Sequence, residues 1–122
     1  MTVSNRNQVD PFVGDDGAVI LELASPSNSA LRRHSLAEIR HPPGTASREH
    51  YHTEVEEVYY IMEGQGSLRV DGETRDIAPG DVVVIVPGQR HKVWQEGDGD
   101  LVMLVTCAPA YSEEEVEYSE RP

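Results

Sequence analysis

Glycine and proline interrupt this chain at intervals too short for helices. Pro42-Pro43-Gly44, Gly64-Gln65-Gly66, Asp71-Gly72, Pro79-Gly80-Asp81, Pro87-Gly88 and Gly97-Asp98-Gly99-Asp100 cut residues 42–100 into short runs. Runs of this length are marginal as helices in water but long enough for strands. Their content agrees. Val55 to Met62, Val82 to Val86, His91 to Gln95 and Leu101 to Cys107 are rich in β-branched, aromatic or other apolar side chains. Ser67–Val70 and Glu73–Ile77 flank Asp71-Gly72, a two-residue hairpin signal. Leu31 to Arg40 and Ala18 to Leu23 read as two further strands, the latter ended by Ser25-Pro26-Ser27-Asn28-Ser29. Many short strands between Gly and Pro turns predict an all-β sandwich or barrel.

A length of 122 residues suits one domain. Residues 1–30 are expected to form an arm, 31–108 the β-barrel and 109–122 an acidic tail. Ser112-Glu113-Glu114-Glu115 fits a capping box for one helical turn, although a solvated tail is the simpler reading of that charge run. Lys and Arg total 10 against 22 Asp and Glu, a formal charge of −12. Such a chain is repelled by nucleic acid and by anionic membranes, so neither is an expected partner. The lone cysteine, Cys107, ends an apolar run and reads as a buried, inert thiol. With no apolar stretch of membrane-spanning length and no basic-then-apolar start, a cytoplasmic location is the default expectation.

The chemistry concentrates in four residues. His50 and His52 lie two apart on a predicted strand, so their imidazoles point to one face. Glu57 follows five residues later, an odd offset that places it on the opposite face of a continuous strand. It can join the histidines only if the chain bends around Thr53-Glu54. His91 opens another strand after Pro87-Gly88, and a closed barrel can carry it to the other three. Three imidazoles and a carboxylate suit one divalent transition metal ion: manganese, iron, cobalt, nickel, copper or zinc. Calcium and magnesium prefer oxygen donors. Four protein ligands around a six-coordinate ion leave two positions for water, substrate oxygens or dioxygen.

These residues resemble the two motifs of the cupin superfamily. The first runs Gly, five residues, His-x-His, three or four residues, Glu, six residues, Gly, and Gly44, His50, His52, Glu57 and Gly64 match it throughout. The second runs Gly, five residues, Pro-x-Gly, two residues, His, three residues, Asn. Gly80, Gly88 and His91 fall in register, but the proline is Pro87, one place late, and Gln95 stands where Asn is usual. The resemblance implies a small metal-binding cupin with a conical jelly-roll barrel of two antiparallel sheets around the ion. It also implies a homodimer, in which the strand at 18–23 could be exchanged between subunits.

Strand parity suggests what lines the site. Tyr59 and Ile61 share the parity of Glu57, and Gln95 that of His91, so these three are the candidate substrate pocket. Tyr59 is also a candidate proton donor, or else a core aromatic with a satisfied hydroxyl. The expected function is a metal-dependent cupin enzyme acting on a small oxygen-rich molecule, with a lean to dioxygenase-type oxidoreductase chemistry. The alternatives are an isomerase, decarboxylase or lyase of the same fold, or a non-catalytic metal- or ligand-binding cupin.

Overall fold

A computed structural model describes residues 1–121, so the last residue of the tail expected at 109–122 lies outside the described residues. Eleven strands follow one another in the chain: β1 Phe12–Val13, β2 Val19–Ala24, β3 Ser35–His41, β4 His50–His52, β5 Glu56–Glu63, β6 Gln65–Val70, β7 Glu73–Ile77, β8 Val82–Ile85, β9 His91–Glu96, β10 Leu101–Ala108 and β11 Val116–Tyr118. They form a six-stranded sheet ordered β1-β2-β3-β10-β5-β8 and a five-stranded sheet ordered β11-β4-β9-β6-β7. All pairings are antiparallel.

From β3 onward the chain changes sheet at every connection except one. The exception is the β6–β7 hairpin, where Val70 pairs with Glu73 across Asp71 and Gly72. Both turn residues have positive φ, 48° and 83°, as a tight turn matched to strand twist requires. Every other Gly or Pro break between β3 and β10 is a corner between sheets. This alternation makes a jelly roll. No ladder joins one sheet to the other among the described residues, so the expected barrel is an open two-sheet stack.

The tightest corner is Gly64, between β5 and β6. Its φ is 85°, and a Cβ there would run into the Asp100 backbone carbonyl. Only glycine meets both conditions without strain.

Between the sheets lies one apolar core built from alternate residues. Along β5, Glu57, Tyr59 and Ile61 are buried while Glu56, Tyr60 and Met62 are exposed. Ile85, Val93, Leu101, Met103 and Val105 complete much of the interior. Two segments differ from expectation. The strand expected from Leu31 begins only at Ser35. The tail is more than a solvated run: after a single 3-10 turn at Glu113–Glu115, capped by Ser112, it forms β11 and pairs with β4. Its acidic side chains serve as acceptors there. Glu115 takes hydrogen bonds from the Thr53 hydroxyl (2.6 Å) and the Glu54 N–H (3.1 Å), and Glu120 pairs with Lys92 at 2.6 Å. At the other end, Arg6 of the arm clamps the buried Glu38 carboxylate on the outer face of β3. Strand β2 pairs with β3 of its own chain. No helix among the described residues is long and apolar enough to cross a membrane.

Candidate metal centre

The site is assembled across the two sheets. His50 and His52 come from β4, and His91 comes from the neighbouring β9, where it is the direct register partner of His50. Glu57 faces them from β5 in the other sheet. The bend required at Thr53-Glu54 is present, with β4 ending at His52 and β5 starting at Glu56. Glu57 is therefore buried and Glu56 exposed, in keeping with the six-residue spacing from Glu57 to Gly64.

One ring nitrogen from each of His50, His52 and His91 lies within 4.8 Å of the others, close enough to share one ion. Glu57 reaches two of the three. Its Oε1 is 3.2 Å from His91 Nε2 and its Oε2 is 3.7 Å from His52 Nε2.

The tautomers are set for ligation. His50 Nδ1 lies 2.7 Å from the Arg48 carbonyl and His91 Nδ1 lies 2.9 Å from the Gln89 carbonyl. A carbonyl can only accept, so each Nδ1 carries the proton and each Nε2 keeps a lone pair. Such partners commonly orient metal-bound histidines.

Several buried atoms in the cluster have no partner: His52 Nδ1 and Nε2, His91 Nε2 and Glu57 Oε1. Buried polar atoms are nearly always satisfied in folded proteins. Here the orphans converge, and a divalent ion would satisfy His52 Nε2, His91 Nε2 and Glu57 Oε1 together. The residues present fit the ion that their donor chemistry implies.

Electrostatics point the same way. Burial first, and the neighbouring His91 second, push His50 down to about 4, so it is neutral near pH 7 and able to bind a cation. Burial works to raise the Glu57 carboxyl, but the His52 and His91 imidazoles outweigh it and hold the group below the usual carboxylate range.

The expected pocket residues divide. Tyr59 is 5% exposed with its ring centroid 6.3 Å from that of His91, and burial together with the Glu57 charge pushes its phenol well up. Ile61 is wholly enclosed in the apolar core. The Gln95 amide is fully occupied by backbone. Its oxygen accepts from the Gly44 N–H, and its nitrogen lies within 2.9 Å of the carbonyls of Glu96, Gly97 and Gly99. It braces two corners and has no free group for a ligand. His34 is exposed; His41 is buried at the far end of β3 with Nδ1 unpartnered.

Three contacts escaped the sequence reading. Cys107 is buried as expected but not isolated: its Sγ lies 3.3 Å from Glu57 Oε2. Tyr118 stands opposite His50, with ring centroids 6.0 Å apart, and carries the Arg48 guanidinium on its face at 3.6 Å. Tyr111 approaches His52 to 6.4 Å between centroids. None has a local signal, because each depends on which strands become neighbours.

Comparisons with known proteins agree with this arrangement. Residues 37–107 match the family model described as "Cupin domain". An uncharacterised protein of Methanocaldococcus jannaschii is 35% identical over 114 residues, spanning 93% of this chain and 91% of that protein. The tetracenomycin polyketide synthase protein TcmJ of Streptomyces glaucescens is 30% identical over 87 residues, 71% of this chain and 58% of its own. The polyketide cyclase RemF from Streptomyces resistomycificus superposes with a TM-score of 0.85 over 100% of this chain and 87% of that one, at 20% identity, a likeness of fold. The domain match takes in all four converging residues and the kinship runs nearly end to end, so this chain belongs to the cupin family.

Proposed function

We propose that this protein is a metal-dependent cupin enzyme acting on a small oxygen-rich organic molecule. The observation that carries the reading is the convergence of buried, unpartnered His52 Nε2, His91 Nε2 and Glu57 Oε1 beside the lone pair of His50 Nε2. These four side chains would hold one divalent transition metal. When bound, the ion supplies Lewis acidity toward substrate oxygens and, if redox-active, a route to dioxygen. The rest falls to the chain. Arg48 and Gln89 carbonyls fix two imidazole tautomers. The Tyr59 phenol stays protonated beside His91. Tyr111 and Tyr118, each about half exposed, offer aromatic surfaces next to His52 and His50.

Dioxygenase-type oxidation is the first reaction class to test, since three imidazoles and a carboxylate suit redox-active iron, copper, nickel or manganese. Redox-neutral chemistry (isomerisation, decarboxylation or lyase-type elimination) is the second reading. It draws on the Tyr118 and Tyr111 rings beside His50 and His52, which favour a planar substrate, and on the likeness to a polyketide synthase protein. The homodimer expected from the family has support in Tyr60, Met62, Val82 and Val84. These are exposed apolar residues side by side on the outer face of β5 and β8.

The deciding experiment is elemental analysis of untagged protein, followed by oxygen-uptake and product assays with phenolic, dicarbonyl and sugar substrates. Oxygen consumption lost in His52→Ala supports oxidation, and product without oxygen uptake supports the redox-neutral reading. Metal without turnover on any substrate class favours a binding protein. Absence of stoichiometric metal after incubation with manganese, iron and zinc salts overturns the proposal.

A further inference from the structure

The two oxygens of Glu57 have different surroundings. Oε1 faces the imidazoles, 3.2 Å from His91 Nε2, and has no hydrogen-bond partner. Oε2 lies 3.7 Å from His52 Nε2, farther than Oε1 from His91, and 3.3 Å from Cys107 Sγ in the buried interior. Strand register makes this contact systematic. Ser35, Cys107 and Glu57 are direct cross-strand partners on β3, β10 and β5, a polar row in an otherwise apolar wall.

The thiol can only be the donor. An ionised carboxylate oxygen can only accept, so in the 3.3 Å contact the sulfur donates its S–H. A protonated sulfur beside an ionised carboxylate offers one S–H to one oxygen. The sheet packing also leaves Cys107 only 3% exposed, so no water competes for the Glu57 oxygen from that side.

We propose that Cys107 is a positioning residue for the metal centre: its S–H, donated to Glu57 Oε2, sets the rotation of the carboxylate so that Oε1 is the oxygen turned to the ion. The inference rests on the metal reading of the same four residues. It assigns the lone cysteine a task that neither its burial nor the cupin motifs, which end at Gln95, indicate. Lost hydrogen-bond partners of metal ligands typically weaken metal binding about 10–100-fold. A thiol is a weak donor, so the low end of that range applies.

The test compares wild type, Cys107→Val and Cys107→Ser, titrated as metal-free protein with Co2+ while the visible spectrum is followed. Valine conserves volume and removes the donor; serine keeps a donor. The expected result is about tenfold weaker Co2+ binding in Cys107→Val and an altered visible band as Oε2 turns toward the ion. In Cys107→Ser the affinity returns to within about threefold of wild type. A residue that only fills space would lower Tm in chelator but leave affinity and band unchanged, and that result in Cys107→Val overturns the inference. If Cys107→Val does not fold, Cys107→Ala is read by the same two outcomes. Should wild type itself bind neither Co2+ nor Zn2+, the metal reading fails and takes the inference with it. Wild-type binding with an indifferent Cys107→Val removes the inference alone.

Discussion

Replacing His52 with leucine should make the metal-free protein more stable. His52 is 2% exposed and neither of its ring nitrogens has a partner. Each buried polar group left unsatisfied costs about 1–3 kcal/mol, so the ring carries about 2–6 kcal/mol of uncompensated desolvation in the metal-free fold. Leucine removes both nitrogens, and at the full repacking cost of about 1.5 kcal/mol a net gain of about 0.5–4.5 kcal/mol remains. With unfolding entropy near 2.1 cal/mol/K per residue over 122 residues, about 0.26 kcal/mol/K in total, Tm rises by about 2–17 °C. Metal works against this gain. An ion at 100 times its Kd adds about 2.7 kcal/mol to wild type, about 10 °C, and nothing to a variant missing a ligand. Differential scanning calorimetry in chelator and in excess Zn2+ reads both effects. A His52→Leu protein that melts several degrees below wild type in chelator refutes the reasoning. The nitrogens would then be satisfied in the metal-free fold, and the site would not be held ready against its own stability.

Three further outcomes follow from other parts of the molecule. Gly64→Ala should lose at least about 2 kcal/mol in a urea denaturation series, because the left-handed backbone strains any side chain and the Asp100 carbonyl occupies the space of a Cβ. Ending the chain after Ala110 removes β11 and the Glu115 clasp on Thr53 and Glu54. Amide exchange should accelerate at residues 50–54 but not in the β6–β7 hairpin, and Zn2+ affinity should fall; unchanged exchange would show that the tail merely rests there. His41 is held below its ordinary value of 6.5 by burial, which outweighs the raising effect of Asp16. The unfolded chain binds its proton first, so the stability from burying His41 neutral is whole above pH 6.5 and is lost as pH falls through its lowered folded value. His50, neutral down to about pH 4, acts with the same sign. Metal-free His41→Leu should therefore show a shallower, not a flat, decline in Tm between pH 7 and 5.

Much of the site is visible without coordinates because strand geometry is local. Period two brings His50 and His52 to one face, and the odd step to Glu57 demands the bend found at Thr53-Glu54. Parity on a continuous strand would pick Glu56, four residues from His52; the bend and the six-residue spacing to Gly64 are what single out Glu57. Parity fails at Gln95, which does face inward yet is used up bracing backbone corners. Inward direction is local information, and what an amide meets there is not. The tail fails differently. Charge composition favours a solvated segment, but an open strand edge beside β4 supplies donors that the glutamates satisfy.

What the sequence determines by itself is therefore the punctuation and the periodicity: where strands stop, which residues share a face, and which donors are chemically fit for a transition metal. What the tertiary structure decides is adjacency. The same Gly and Pro breaks would serve as hairpins in a meander; here all but one between β3 and β10 are corners that pass the chain between sheets. Those crossings set His91 beside His50, bring Glu57 across from the opposite sheet and lay Cys107 against it. Neighbours 41 to 50 residues apart in the chain are set by which sheets pack together, and that depends on burying the whole core at once.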